Sequence, residues 1–237
     1  MLLGAAMALF SAGCGSGSKS TATDNSAVDY NPRIDATDFV DKIDSRYYPL
    51  TPGTIYVYES DTGNGKERNE VAVTGDKKKV LGIDCTVVHD RVWLDGNLVE
   101  ETYDWYAQDK EGNVWYMGED SKTYENGKVV STEGSWEAGM DGAQPGYIMK
   151  AVPKVGDSWR QEYLKGEAED MGEVIALGET ISVPAGSYQG CVRTRDWTPL
   201  EPAIEENKVY CPGTGVVFEE MTKGGNDKTE LVALEHV

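Results

Sequence analysis

The chain has 237 residues, with 22 Lys and Arg against 41 Asp and Glu, a formal charge of −19. Such a surface repels phosphate backbones, which argues against nucleic acid as a partner. Apolar residues make up 39 % and charged residues 27 % of the chain, a globular composition that excludes wholesale disorder and suits one large β domain.

Residues 1–13 carry no charged side chain. The run is too short to span a bilayer as a helix and reads as the apolar core of a signal peptide. Ser11-Ala12-Gly13-Cys14 resembles the lipobox of bacterial lipoproteins, in which small residues precede the cysteine that receives the lipid. Ser11 stands where Leu is usual, and no Lys or Arg precedes the run. The resemblance implies cleavage before Cys14, a lipid on Cys14, and a membrane partner reached through that lipid. Localisation is then extracytoplasmic, on the outer membrane or cell surface of a bacterium. Residues 14–30, rich in Gly, Ser and Thr, form a flexible tether, and residues 31–237 form a single all-β domain.

One short N-terminal helix is predicted over Thr37–Ser45, with Thr37 or Asp38 as cap and Phe39, Val40 and Ile43 as its apolar stripe. Pro49 and Pro52-Gly53 end it. Strands follow from Thr54. Lys77-Lys78-Lys79, flanked by Asp76 and Asp84, reads as a solvated turn. Asp95-Gly96 and Asn126-Gly127 are hairpin turns, and Asp109–Asn113 is a longer hairpin loop. Val183-Pro184-Ala185-Gly186 separates two further strands, and the last turns at Gly224-Gly225. Val99, Tyr103 and Trp105 share one strand face while Glu100, Thr102 and Asp104 share the other, as in an antiparallel sheet with one wet face. Ile55/Val57 against Tyr56/Tyr58 leaves both faces partly apolar. The fold expected is therefore a strongly curved antiparallel sheet or barrel, a lipocalin-like meander of about ten to twelve strands.

Two hairpins bring candidate residues together. Centred on Glu111, one sets Tyr106 opposite Tyr116 and Trp105 opposite Met117, so that Trp105, Tyr106 and Trp115 line either core or a pocket. Centred near Glu201, the other pairs Val192 with Tyr210, Thr194 with Lys208 and Cys191 with Cys211. Directly opposed Cβ atoms lie about 4.5–5.5 Å apart, within reach of a disulfide in an oxidising compartment. Cys85 is left free.

The stretch Gly134–Gly146 holds Trp136, Glu137 and Asp141 among four glycines and a proline. It reads as a functional loop or as a plug over the barrel mouth anchored by Trp136. Arg160 and Glu162 share a strand face and suit a salt bridge pointing into a cavity or lying on the surface. His89 reads as a polar strand-face residue, and no G-x-S-x-G elbow, phosphate loop or EF-hand accompanies it. Carboxylates are plentiful, with Glu100, Glu101 and Asp104 in one group and Glu169, Asp170 and Glu173 in another.

The run Asp104–Glu119, the later Gly134–Gly139, Val183–Tyr188 and Trp197–Pro202 resemble a family of uncharacterised secreted bacterial proteins. The resemblance spans about Phe39 to Val232 and brings no activity or catalytic residues with it. Strand count and turn style are loosely similar to lipocalin-like and lipoprotein-carrier half-barrels. The functional expectation is a lipid-anchored protein binding a small apolar or amphipathic ligand in a β-barrel cavity. Its site draws on Trp105, Tyr106, Trp115, Trp136, Glu137, Asp141 and Arg160. The alternatives are a secreted hydrolase using Glu137 or Asp141, with or without a divalent cation such as Ca2+, and a surface protein with a solid core. No motif requires a cofactor or a metal.

Overall fold

The computed structural model describes residues 30–237. The signal peptide, Cys14 and the tether up to residue 29 lie outside the described residues. The helix expected over Thr37–Ser45 is not formed. Instead a single 3-10 turn, Ala36–Asp38, is capped by Asp35, whose carboxylate accepts the Thr37 amide at 3.0 Å. A three-residue apolar stripe is too little to hold an isolated helix. Strand β1 (Phe39–Val40) follows, and Phe39 lies edge-on to Trp115 at 6.2 Å.

Two antiparallel meanders build the rest. The first runs through β2 (Thr54–Thr62), β3 (Gly65–Val80), β4 (Ile83–Leu94), β5 (Asn97–Asp109) and β6 (Val114–Glu125). Short strands β7 (Lys128–Ser131) and β8 (Trp136–Glu137) both pair with β6, and β9 (Gln144–Met149) continues the sheet. The chain then passes through β10 (Ser158–Arg160) and β11 (Glu162–Tyr163). The second meander is β12 (Met171–Val183), β13 (Gly186–Trp197), β14 (Glu205–Cys211), β15 (Gly215–Lys223) and β16 (Lys228–His236).

Closure takes place at two seams. Strand β16 pairs with β2, joining the meanders. At the other seam β11 pairs with β9 while β10 pairs with β12, so only Gln161 separates the two ends of the sheet. The backbones there approach so closely that a Cβ at Gly146 would collide with the Arg160 carbonyl and the Gln161 backbone. The result is a nearly closed antiparallel barrel, with strand edges largely removed.

Turn chemistry follows the sequence at Asp95-Gly96 (φ 47° and 81°) and Asn126-Gly127 (φ 52° and 73°), both in the left-handed region that such hairpins need. Leu81-Gly82 makes the same kind of turn with Leu81 at φ 49°, a position no composition signal marks. The expected turn at Lys77–Lys79 is instead the end of β3, where Lys78 pairs with Glu137 at 3.0 Å and Lys79 with Asp84 at 2.7 Å. Those carboxylates, with the Asp41 carbonyl and Thr86 hydroxyl on Lys77, let three lysines occupy a strand.

Register matches the expected β13–β14 hairpin: Val192 opposes Tyr210, Thr194 opposes Lys208, and Cys191 is bonded to Cys211. Cys85 is a free, buried thiol. In the β5–β6 hairpin Tyr106 opposes Tyr116 as expected. A bulge then shifts the register, so that Trp105 opposes Gly118 rather than Met117. At φ 135°, Gly118 supplies the backbone conformation and the space against Trp136 and Trp105 that the bulge requires.

The lumen has two halves. In one, Tyr106 stacks on Tyr116 at 5.0 Å, Tyr48 meets Tyr106 at 5.5 Å, and Tyr58 donates to the Val216 carbonyl at 3.0 Å. The free space remaining beside these tyrosines is about 40 Å³, room for about one water.

The Cys191–Cys211 bond closes a loop of 20 residues. Replacing both cysteines by serine should therefore lower the unfolding free energy by about 3 kcal/mol, read from the urea midpoint. An unchanged midpoint would show that the hairpin is held by its ladder alone.

Candidate functional site

Strand alternation sends every second residue of β5 into the lumen, and these are Glu100, Thr102, Asp104 and Tyr106. Register aligns them with polar partners on the neighbouring strands. Asp90, Thr102 and Ser121 form one row, and Val88, Asp104, Glu119 and Trp136 the next. The acidic face of β5, which alternation alone suggests is wet, is thus the inner one. Tyr103 on the opposite face stacks on His89 at 4.3 Å, and His89 in turn meets Glu101 at 2.8 Å.

The second half of the lumen is a cavity of about 530 Å³ whose lining, among the described residues, includes nine Asp and Glu side chains and no Lys, Arg or His. Asp104 is fully buried; its Oδ1 accepts the Tyr116 hydroxyl at 2.7 Å, while its Oδ2 has no hydrogen-bond partner. Glu162, 6 % exposed, has an Oε2 that no described residue pairs at close hydrogen-bond geometry, with the Trp136 indole as its neighbour. Asp90 accepts from the Asn69 amide at 2.8 Å, and Thr102 donates to Ser121 at 3.0 Å.

Burial among other acids favours the neutral carboxyls. Burial, with Asp170 nearby, pushes Glu162 up to about 8, and burial with Asp104 nearby pushes Glu100 to about 7. Asp104 rises to about 6 through burial, against the lowering effect of the Tyr116 hydrogen bond. Asp90 and the half-buried Glu119 are raised well above the ordinary range by the same desolvation. Among the described buried residues Lys208, 2 % exposed, is a cation, 3.6 Å from Asp196 and 3.7 Å from Glu219. Gln161 and Thr194 also donate to Asp196, at 2.8 and 2.6 Å.

The aromatic and charged residues singled out from sequence divide between the two sides of the wall. Tyr106 and Trp136 lie in the lumen, with Trp136 edge-on to Tyr116 at 5.3 Å. Trp105 and Glu137 share the opposite face, where Lys78 sits 4.6 Å from the Trp105 ring centroid and bonds to Glu137. Trp115 donates to Asp109 at 2.9 Å and lies 4.0 Å from Tyr147. Asp141 is exposed in a turn at φ 51°. Arg160 and Glu162 part company at the seam. Arg160 lies 3.6 Å from Glu169 and over the Tyr163 ring, whereas Glu162 joins the cavity. Of the carboxylate groups noted in the sequence, Glu100, Asp104 and Asp170 line the cavity, together with Asp90 and Glu119, which were not singled out. Among the described residues no three His, Cys, Asp or Glu side chains are grouped closely enough to hold a metal ion.

No protein-family model and no curated protein matches the chain. Two solved structures are similar to it. One is described as an exported protein with a YmcC-like fold, from Bacteroides fragilis. It is 16 % identical, matched over 81 % of this chain and 99 % of its own, with a TM-score of 0.49. The other, described as a lipoprotein from Parabacteroides distasonis, is 14 % identical over 81 % and 99 % of the two chains, with a TM-score of 0.46.

The raised carboxyls set a pH dependence of stability. Glu67 and Glu100 at about 7 and Glu162 at about 8 hold protons in the folded state at pH values where the unfolded chain has lost them. Stability is then greatest near pH 5 and declines as pH rises through 8. The melting temperature of the empty protein should fall by several degrees between pH 5.5 and pH 8.5, at about 2–4 °C per kcal/mol. Glu162→Gln should recover about 1–3 kcal/mol at pH 8.5 and little at pH 5.5. A melting temperature that rises with pH, or a variant equally destabilised at both values, would contradict these assignments.

Proposed function

We propose that the protein is an exported, lipid-anchored binding protein that accepts a small cationic ligand in the acidic half of its barrel. The observation that carries this reading is the pair of buried carboxylates, Asp104 and Glu162, each with an oxygen that no described residue pairs closely, in a cavity whose described lining holds no basic residue. A buried acid in that condition destabilises the empty fold unless it stays protonated, and a cation supplies the missing partner. At about 530 Å³ the cavity falls within the range of small-molecule sites, about 300–1,000 Å³.

An apolar ligand suits the barrel less well. The tyrosine-lined half retains about 40 Å³, too little for one, so the amphipathic part of the expectation rests on Trp136 beside the acids. The hydrolase alternative loses support from geometry, because Glu137 is tied to Lys78 and Asp141 is solvent-exposed. Export and anchoring rest on the uncharged first 13 residues and on Cys14 after Ser11-Ala12-Gly13.

Intact-mass measurement of the protein taken from bacterial membranes tests both parts. Acylation at Cys14 should add mass that survives denaturation. A carried ligand should add mass to the native spectrum alone, and Asp104→Asn with Glu162→Gln should remove it. A denatured mass equal to the bare polypeptide would refute the anchor. Native adducts unaffected by the double substitution would refute the site.

A further inference from the structure

Resting on the cationic-ligand reading, the geometry points to an organic polyamine, a chain with two or more alkylammonium groups, as the class of ligand the acidic cavity takes, and we propose it as such. A metal ion demands several oxygens converging on one point at about 2.3–2.6 Å, as for calcium. The described residues offer no such grouping of three. The carboxylates are instead spread in layers along the strands. Asp104 and Glu119 form an inner layer, Asp90 with Thr102 and Ser121 a middle one, and Glu100 an outer one. Successive layers are two residues apart on β5, about 6.5 Å at the usual strand rise. Ammonium groups joined by three or four methylenes repeat over a comparable distance, so one extended polyamine meets a new acid at each layer. The hydroxyls of Thr102 and Ser121, in the middle layer with Asp90, are further acceptors for N–H groups.

The barrel also contains its own example of the chemistry. Lys208 is an alkylammonium on a four-carbon stem, buried in this lumen between Asp196 and Glu219 and bordering the space lined by Tyr48, Tyr56 and Tyr210. Asp104 Oδ2 and Glu162 Oε2, both on side chains more than nine-tenths buried and with the Trp136 indole beside Glu162, supply the same kind of seat with no described side-chain ammonium in it. An acidic rim of Glu133, Glu167 and Glu201 adds an attractive field for cations at the entrance.

Spermidine and Ca2+, titrated separately by calorimetry into the full-length protein at pH 8 and 0.15 M salt, test the inference. Surface attraction is largely screened at that ionic strength. Spermidine should bind with one site, and Asp104→Asn with Glu162→Gln should weaken it at least tenfold, while Glu125→Gln on the exposed hairpin changes nothing. Circular dichroism of the double variant checks that the fold is retained, and Asp104→Asn alone serves as the milder probe if it is not. Ca2+ binding without spermidine binding would overturn the polyamine assignment and leave the cationic-ligand reading standing. Binding of neither would overturn both. Spermidine bound equally by wild type and double variant would place it on the outer surface and overturn the assignment.

Discussion

Closing a pleated sheet into a barrel commits alternate residues of every strand to the inside, whatever their polarity. On β5 that commitment buries Asp104 completely and brings Glu100 and Thr102 in with it. Everything distinctive about this lumen follows from the two seams that enforce closure, β16 on β2 and the one-residue crossing at Gln161. Were the sheet open, the same acids would be an unremarked solvated face. Enclosed, they become desolvated carboxyls whose protonation is tied to whatever occupies the cavity.

The two halves of the lumen divide the work of stability and binding. Stacked tyrosines and valines fill one half, leaving about 40 Å³, and join β5, β6 and β14 through their ring contacts. The other half works against the fold, because buried acids without cations cost free energy. Lys208 meets part of that demand for Asp196 and Glu219. Among the described residues Asp104 and Glu162 have no such side-chain cation, and that difference is what separates a structural charge cluster from a binding cavity. Sites that compromise stability in this way are common where function needs an unsatisfied group.

Much of the fold was legible in the sequence because turns are local. Asp95-Gly96 and Asn126-Gly127 fix φ > 0 through residue type alone, and the centre at Glu201 was enough to pair Cys191 with Cys211. Features that depend on distant chain were not legible. Phe39 is strand through pairing with Asp109 and packs on Trp115, and Lys78 is strand through pairing with Cys85 with Glu137 as its ion partner. The bulge at Gly118 depends on close approach by β8, which nothing in the β5–β6 hairpin announces. The site suffered most. Alternation along β5 is legible, but polarity suggests a wet face and does not say that this face turns inward. Only closure of the barrel decides that sign, and closure is a property of the whole sheet.

The central claim is that the lumen carboxyls are protonated or not according to cation occupancy, and carboxyl-selective 13C NMR titration reads this directly. In the empty protein Glu100, Asp104 and Glu162 should titrate between about pH 6 and 8, and saturating spermidine should move all three to lower pH. Lumen carboxyls that titrate near pH 4 with or without spermidine would contradict the account, since neither desolvation nor a bound cation would then be acting on them.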